Sequence, residues 1–208
     1  MEKISSKRSY KSDKRQQQAE TTRRAIIDAG RKLFSEHGYT ATTVAAVAAE
    51  AGVAVPTVYA SVGGKQGILR QLVQLVDELG DQTLIEQGLA ESDPARVIKL
   101  AVTFHRQTIE RGGDIINLIM STAPFDEDVA HALEEALAMN REVAGKLVQL
   151  LAEQGSLRSQ LSEKKAGDII AVMFMPTIFD TLRHYGWSYD ECEQWTADTL
   201  ANALLSAG

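Results

Sequence analysis

Cysteine is nearly absent: Cys192 is the only one in 208 residues. A single thiol points to a reducing cytoplasm as the natural compartment. Long apolar runs are missing as well. The longest, such as Ile169 to Met175 and Ala201 to Leu205, fall well short of the roughly 20 residues that span a bilayer, so no membrane segment is expected. The N-terminal stretch is polar and charged and lacks the apolar core of a signal peptide.

The constellations that carry enzyme chemistry are missing too. Gly63-Gly64-Lys65 reads as a turn into a helix, without the spacing or the following Ser/Thr of a nucleotide-binding loop. His37, His105, His131 and His184 have no metal-ligand spacing with one another or with Cys192. No nucleophile-elbow sequence frames a serine. The chain is therefore expected not to be an enzyme, and no cofactor or metal is expected. No strand pattern competes with the helical periodicities and no internal repeat occurs, so the fold class is all-α.

What is present is a core-sized hydrophobic content of 44% and an uneven charge. The net charge is −6, yet residues 1–24 carry eight basic side chains against three acidic ones, leaving −11 for the remainder. A basic end on an acidic body suits docking to a polyanion, the body's charge orienting the approach. Residues 1–17 show no apolar periodicity and are expected to form a disordered basic arm. The equally open alternative is a solvated tail that binds nothing.

The central stretch is Thr42 to Lys65, TTVAAVAAEAGVAVPTVYASVGGK. Val44, Val47, Ala48, Ala51, Val53 and Val58 fit two short helices crossing at a corner, a helix-turn-helix. Thr43 is placed to cap the first helix. Gly52 is placed at the corner, where a positive φ costs glycine least, and Pro56 suits the first turn of the second helix, over about Val55 to Ser61. Upstream, Ala25, Ile26, Ala29, Leu33 and Phe34 follow helical spacing up to Gly38. Phe34 is expected to fill a small core under Val47 and Val58.

Ala51-Gly52-Val53, Thr57-Val58-Tyr59 and Lys65, together with Arg24 to Gly38 and the Gly38 to Thr43 link, resemble the DNA-binding domain of the tetracycline-repressor (TetR) family of transcriptional regulators. About 50 residues carry the resemblance; beyond Leu72 only the general layout is shared. Ala54 stands where most members have a polar cap, and Val62 where they usually have Phe or Trp. The resemblance implies a helix-turn-helix head over 18–64, a helical ligand-binding and dimerisation domain over 65–208, and a helix from Lys65 to about Leu89 as the lever between them. It implies DNA-binding roles for Thr42, Thr43, Ala54, Val55, Pro56, Thr57, Tyr59 and Lys65, with Tyr59 and Lys65 on phosphates. The recognition helix carries no Arg, Asn or Gln, so thymine-methyl contacts by Val55 and Pro56 and a Thr57 hydrogen bond are the expected vocabulary.

For the body, the sequence predicts helices over Pro94–Glu110, Asp114–Ser121, Asp126–Gln154, Ser162–Tyr185 with a kink at Pro176, and Ser188–Ala207. Ile170, Phe174, Ile178 and Leu182 form one stripe on a helix apolar nearly all round; with Trp195, Thr199 and Asn202 they are expected to form a homodimer interface. Family layout places Phe104, His105, Thr108, Met120, Phe125, Met139, Asn140, Met173, Pro176, Phe179 and His184 around a small-molecule pocket, with a carbonyl near Val172 freed by Pro176. The expected function is a ligand-responsive transcriptional regulator, a repressor released from a near-palindromic double-stranded DNA operator by a small-molecule effector. The rival is an all-α adaptor whose helix-turn-helix no longer binds DNA.

Overall fold

The computed structural model describes the backbone of residues 3–206 and the side chains of 14–76 and 79–206. Among these residues the chain forms ten α-helices and one short 3-10 turn, Ala123–Phe125. The single bridge, Leu157 to Leu205, does not make a sheet. The chain divides into two compact units, one of residues up to Gln74 with Asn117–Ala132, the other of Leu75–Ile116 with Leu133 onward.

The first unit is built on α1 (Lys3–His37), α2 (Val44–Glu50) and α3 (Val55–Val62). Ile26, Phe34, Val47 and Val58 are fully or almost fully buried, each contributing about 1.5–3 kcal/mol by leaving water. Tyr39 joins them, its ring edge-on to Phe34 with centroids 5.1 Å apart. Thr43 caps α2 by accepting from the Ala46 amide at 3.1 Å. Gly52 turns the corner at φ 67°, and α3 leaves at 98° to α2. Ala54 at the N-cap of α3 makes no side-chain bond, and Pro56 stands in the first turn; a missing cap costs about 1 kcal/mol, which the preset proline φ partly offsets.

Helix α4 (Lys65–Glu78) reaches the head through glycines whose packing role no local pattern announces. Gly63 and Gly64 are both left-handed, at φ 81° and 84°. A Cβ on Gly67 would stand 1.3 Å from the Val62 carbonyl oxygen, and one on Gly30 would stand 2.5 Å from Ile68 Cγ2. Bare glycine thus lets α4 approach the end of α3 and the side of α1. Ile68, Leu69 and Leu72 are buried as a result. The head therefore extends beyond the division expected at 64/65.

The second unit contains α5 (Gln82–Ala90), most of α6 (Pro94–Thr122) and α7 (Glu127–Glu153), α8 (Glu163–Met173), α9 (Pro176–His184) and α10 (Tyr189–Leu204). Its main core joins Ile98 and Val102 of α6, Leu147 and Leu151 of α7, Ile170 and Phe174 from the α8 segment, and Leu200 and Leu204 of α10. Ser188 and Glu191 form a reciprocal capping box that starts α10.

Several boundaries differ from expectation. The expected disordered arm over 1–17 is instead helical from Lys3, continuing α1 upstream; no Gly or Pro interrupts residues 3–29, so nothing local stops propagation. Met1 and Glu2 lie outside the described residues. The helix expected to reach Leu89 stops at Glu78, because Asp81 caps a new helix by accepting from Thr83 N at 3.0 Å. Conversely, Gly112-Gly113 does not break α6; a Cβ on Gly112 would lie 3.1 Å from Leu79 Cδ1, so small size there serves packing. The expected kink at Pro176 is a complete break between α8 and α9.

Candidate functional site

The corner of α2 and α3 presents a compact outward surface. Thr43, Ala54, Pro56 and Tyr59 are exposed, as is Val55 at 38%, while Thr57 and Lys65 are half-buried. Tyr59 is 56% exposed, and its ring edge would meet a Cβ on Gly64 at 3.0 Å. Glycine at that position leaves room for the Tyr59 ring against the α3–α4 turn. Thr42 differs from expectation. It is buried, and its hydroxyl donates to the Leu33 and Gly38 carbonyls, 3.1 and 2.8 Å away. Its hydroxyl is committed to backbone carbonyls around the end of α1, so it serves the fold and not the surface.

Lys65 lies with Nζ 4.3 Å from the Tyr39 ring centroid and 3.5 Å from the Thr40 carbonyl oxygen. Partial burial lowers its pKa and the nearby Asp126 carboxylate opposes that shift. Tyr39 is pushed up to about 12, first by burial and then by Asp126 and Asp128. Asp126 also caps α7, its Oδ1 accepting from Asp128 N at 3.1 Å and Val129 N at 3.2 Å. The start of α7, within the same unit, thus acts electrostatically on the lysine beside the recognition helix.

In the second unit the expected pocket residues separate. His105 and Phe179 come together with Phe174: the His105 ring is stacked on Phe174 at 4.6 Å and edge-on to Phe179 at 5.5 Å. Burial pulls the His105 pKa down to about 3, and its Nε2 has no hydrogen-bond partner. Asn140 joins the same group, its Nδ2 donating to the Ala171 and Phe174 carbonyls at 3.3 Å each while its buried Oδ1 has no partner. The α8–α9 break created by Pro176 is thus closed by Asn140. The Val172 carbonyl, expected to be freed, accepts from Met175 N at 3.0 Å instead.

Met120 and Phe125 belong to the first unit, and Phe125 is 87% exposed. Met139 and His184 are also exposed. Phe104 is seated where a Cβ on Gly80 would lie 2.3 Å from its ring, and Thr108 spends its hydroxyl on the Phe104 carbonyl at 3.1 Å. Met173 packs against the main core, and Pro176 opens α9.

Of the expected interface stripe, Ile170 and Phe174 are core residues, because α8 turns that side toward α6, α7 and α10. Leu182 is half-buried against Ile109, Phe179 and Cys192. Ile178 and Thr199 are half-buried, and Trp195 and Asn202 are exposed. Among the described residues no group of three His, Cys, Asp or Glu side chains could hold a metal ion, and no single helix is long and apolar enough to cross a membrane.

Residues 26–72 match the sequence profile of the bacterial regulatory proteins of the tetR family. This chain is similar to that family over its head. Its tetR segment covers α1 from Ile26, the helix-turn-helix and α4 to Leu72, the same residues whose glycines join α4 to the head. A stretch of 127 residues is 28% identical to the HTH-type transcriptional repressor ComR of Escherichia coli K12, covering 56% of this chain and 59% of ComR. Two solved structures share the fold over nine tenths of this chain or more. NalD, the secondary repressor of the MexAB-OprM multidrug efflux pump in Pseudomonas aeruginosa, is 23% identical with TM-score 0.74, covering 92% of this chain and all of NalD. SmeT, solved with triclosan, is 17% identical with TM-score 0.74, covering 90% of this chain and 93% of SmeT.

Proposed function

We propose that this protein is a homodimeric transcriptional repressor of the tetR family that binds a near-palindromic operator through α3 and leaves it when a small molecule occupies the second unit. The observation that carries the DNA-binding half is the outward face of α3, with Val55, Pro56 and Tyr59 exposed and Lys65 set beside it. ComR, a named repressor, is similar over part of its length. The effector-binding half is supported by the unsatisfied polar atoms of His105 and Asn140 within an apolar core.

In this reading α2 spans the phosphate backbone and α3 enters the major groove. Apolar and hydroxyl contacts from Val55, Pro56 and Thr57 read base edges, while Tyr59 and Lys65 hold phosphates. Thr42 leaves the set because its hydroxyl is committed to the end of α1. Helices α4, α6 and α7 each contribute residues to both units, which makes them the candidates for carrying effector binding to the head. Release requires that the effector bind the DNA-free state more tightly than the DNA-bound state. The partner copy is expected on the outer faces of α8–α10, where Val172, Trp195 and Asn202 are exposed.

Nuclease footprinting of the purified protein on DNA upstream of its own gene tests the proposal. A protected near-palindrome with half-sites one turn apart or slightly more, about 34–36 Å or above, is expected. Protection without two related half-sites would contradict the dimeric repressor.

A further inference from the structure

Asn140 and His105 flank Phe174 from α7 and α6, and each carries a buried polar atom with no partner. The Asn140 amide has one sensible orientation. Its Nδ2 donates to two carbonyl oxygens, and a flipped amide would set oxygen against oxygen. The leftover Oδ1 can only accept.

His105 brings no charge to this place, because burial keeps its imidazole neutral. The adjacent cation, Arg106, is engaged by Glu110, Asp190 and Glu193 at 3.3, 3.0 and 3.2 Å. Neither His105 nor Arg106 therefore offers a free counter-charge to a carboxylate or phosphate brought here, whose burial would be unfavourable. Buried polar atoms left unpaired are destabilising, so they call for an explanation.

We propose that the effector is an uncharged aromatic compound with a hydroxyl or N–H donor, held by Asn140 Oδ1 and His105 Nε2 with its ring beside Phe174 and Phe179. This rests on the second unit being the effector-binding part. A donor is required by Asn140, and His105 accepts or donates according to its tautomer. Loss of the donor leaves buried groups unpaired, the situation in which a polar site discriminates most strongly.

Calorimetric titration of the full chain with 4-propylphenol, its methyl ether and 4-propylbenzoate tests the proposal. The phenol should bind at least about tenfold more tightly than the ether, and the benzoate should not bind measurably. In His105→Phe, which deletes the polar nitrogen and keeps a ring, the phenol preference should shrink several-fold; in His105→Gln, which keeps a polar group, part of it should survive. Equal binding of phenol and ether, benzoate binding as tightly as phenol, or no binding of any probe by the wild type overturns the proposal, whether or not the variants fold. DNA binding by the same preparation separates the two failures. A protein that binds DNA without discriminating the probes loses only this inference, and one that discriminates the probes but binds no DNA loses only the repressor function.

Discussion

Lys65 holds its ammonium 4.3 Å from the centre of the Tyr39 ring, so the cation beside the recognition helix rests on the head's core. Tyr39 is in turn edge-on to Phe34. A cation seated on a fixed aromatic face loses less freedom on meeting a phosphate than a free lysine would.

Lys65→Ala should weaken operator binding at all sequences alike and reduce the steepness of its salt dependence by about 0.9 for each phosphate that the lysine neutralises. The fold should be kept, since Tyr39 retains Phe34. A titration series across salt concentrations checks this, and an unchanged slope would remove Lys65 from the phosphate-binding set.

Thr57→Ala and Tyr59→Phe each remove one hydroxyl from the α3 surface. Each should cost about 0.5–1.5 kcal/mol of operator affinity with an unchanged melting temperature. Wild-type affinity in both would leave the hydroxyls without a DNA role.

Gly67→Ala should damage the head more than either. The added carbon would overlap the Val62 carbonyl oxygen at 1.3 Å, and a backbone atom cannot swing aside. Destabilisation of about 3 kcal/mol or more is expected, with loss of DNA binding, measurable by denaturant unfolding. Near-native stability would show that α3 and α4 separate without cost.

The His105 pKa is depressed from 6.5 to about 3, so on acidification the unfolded chain takes up this proton before the folded one. Its contribution to stability is complete above about pH 6.5 and is lost progressively as pH falls toward 3. Between pH 7 and pH 5 the loss should be about 1–2 kcal/mol. His105→Phe should lack this component, and it should be no less stable than wild type at neutral pH because an unsatisfied buried nitrogen is gone. Equal pH dependence in the two proteins would place the acid sensitivity elsewhere.

The head was legible because its signals are local. Thr43 caps, Gly52 turns at positive φ and Pro56 sits in a first turn, each within a few residues of the element it controls. The second unit was less so. Phe174 looked like interface because its helix is apolar nearly all round, and only the placement of α6, α7 and α10 decides which side is core. Gly112 looked like a helix end, whereas its smallness serves a neighbour far along the chain. Thr42 looked like a surface hydroxyl until the end of α1 claimed it. The pairing of Asn140 with the α8–α9 break links residues more than thirty positions apart, which no local pattern shows.

The most direct test of the repressor function is a mobility-shift assay on fragments upstream of the protein's own gene and its neighbours, at two salt concentrations with excess competitor DNA. A shift at one fragment that survives competitor and weakens steeply with salt, as two heads bound to phosphates require, is the predicted result. Uniform binding abolished by competitor, or none at either salt concentration on any fragment, would contradict it and favour an adaptor whose helix-turn-helix no longer reads DNA.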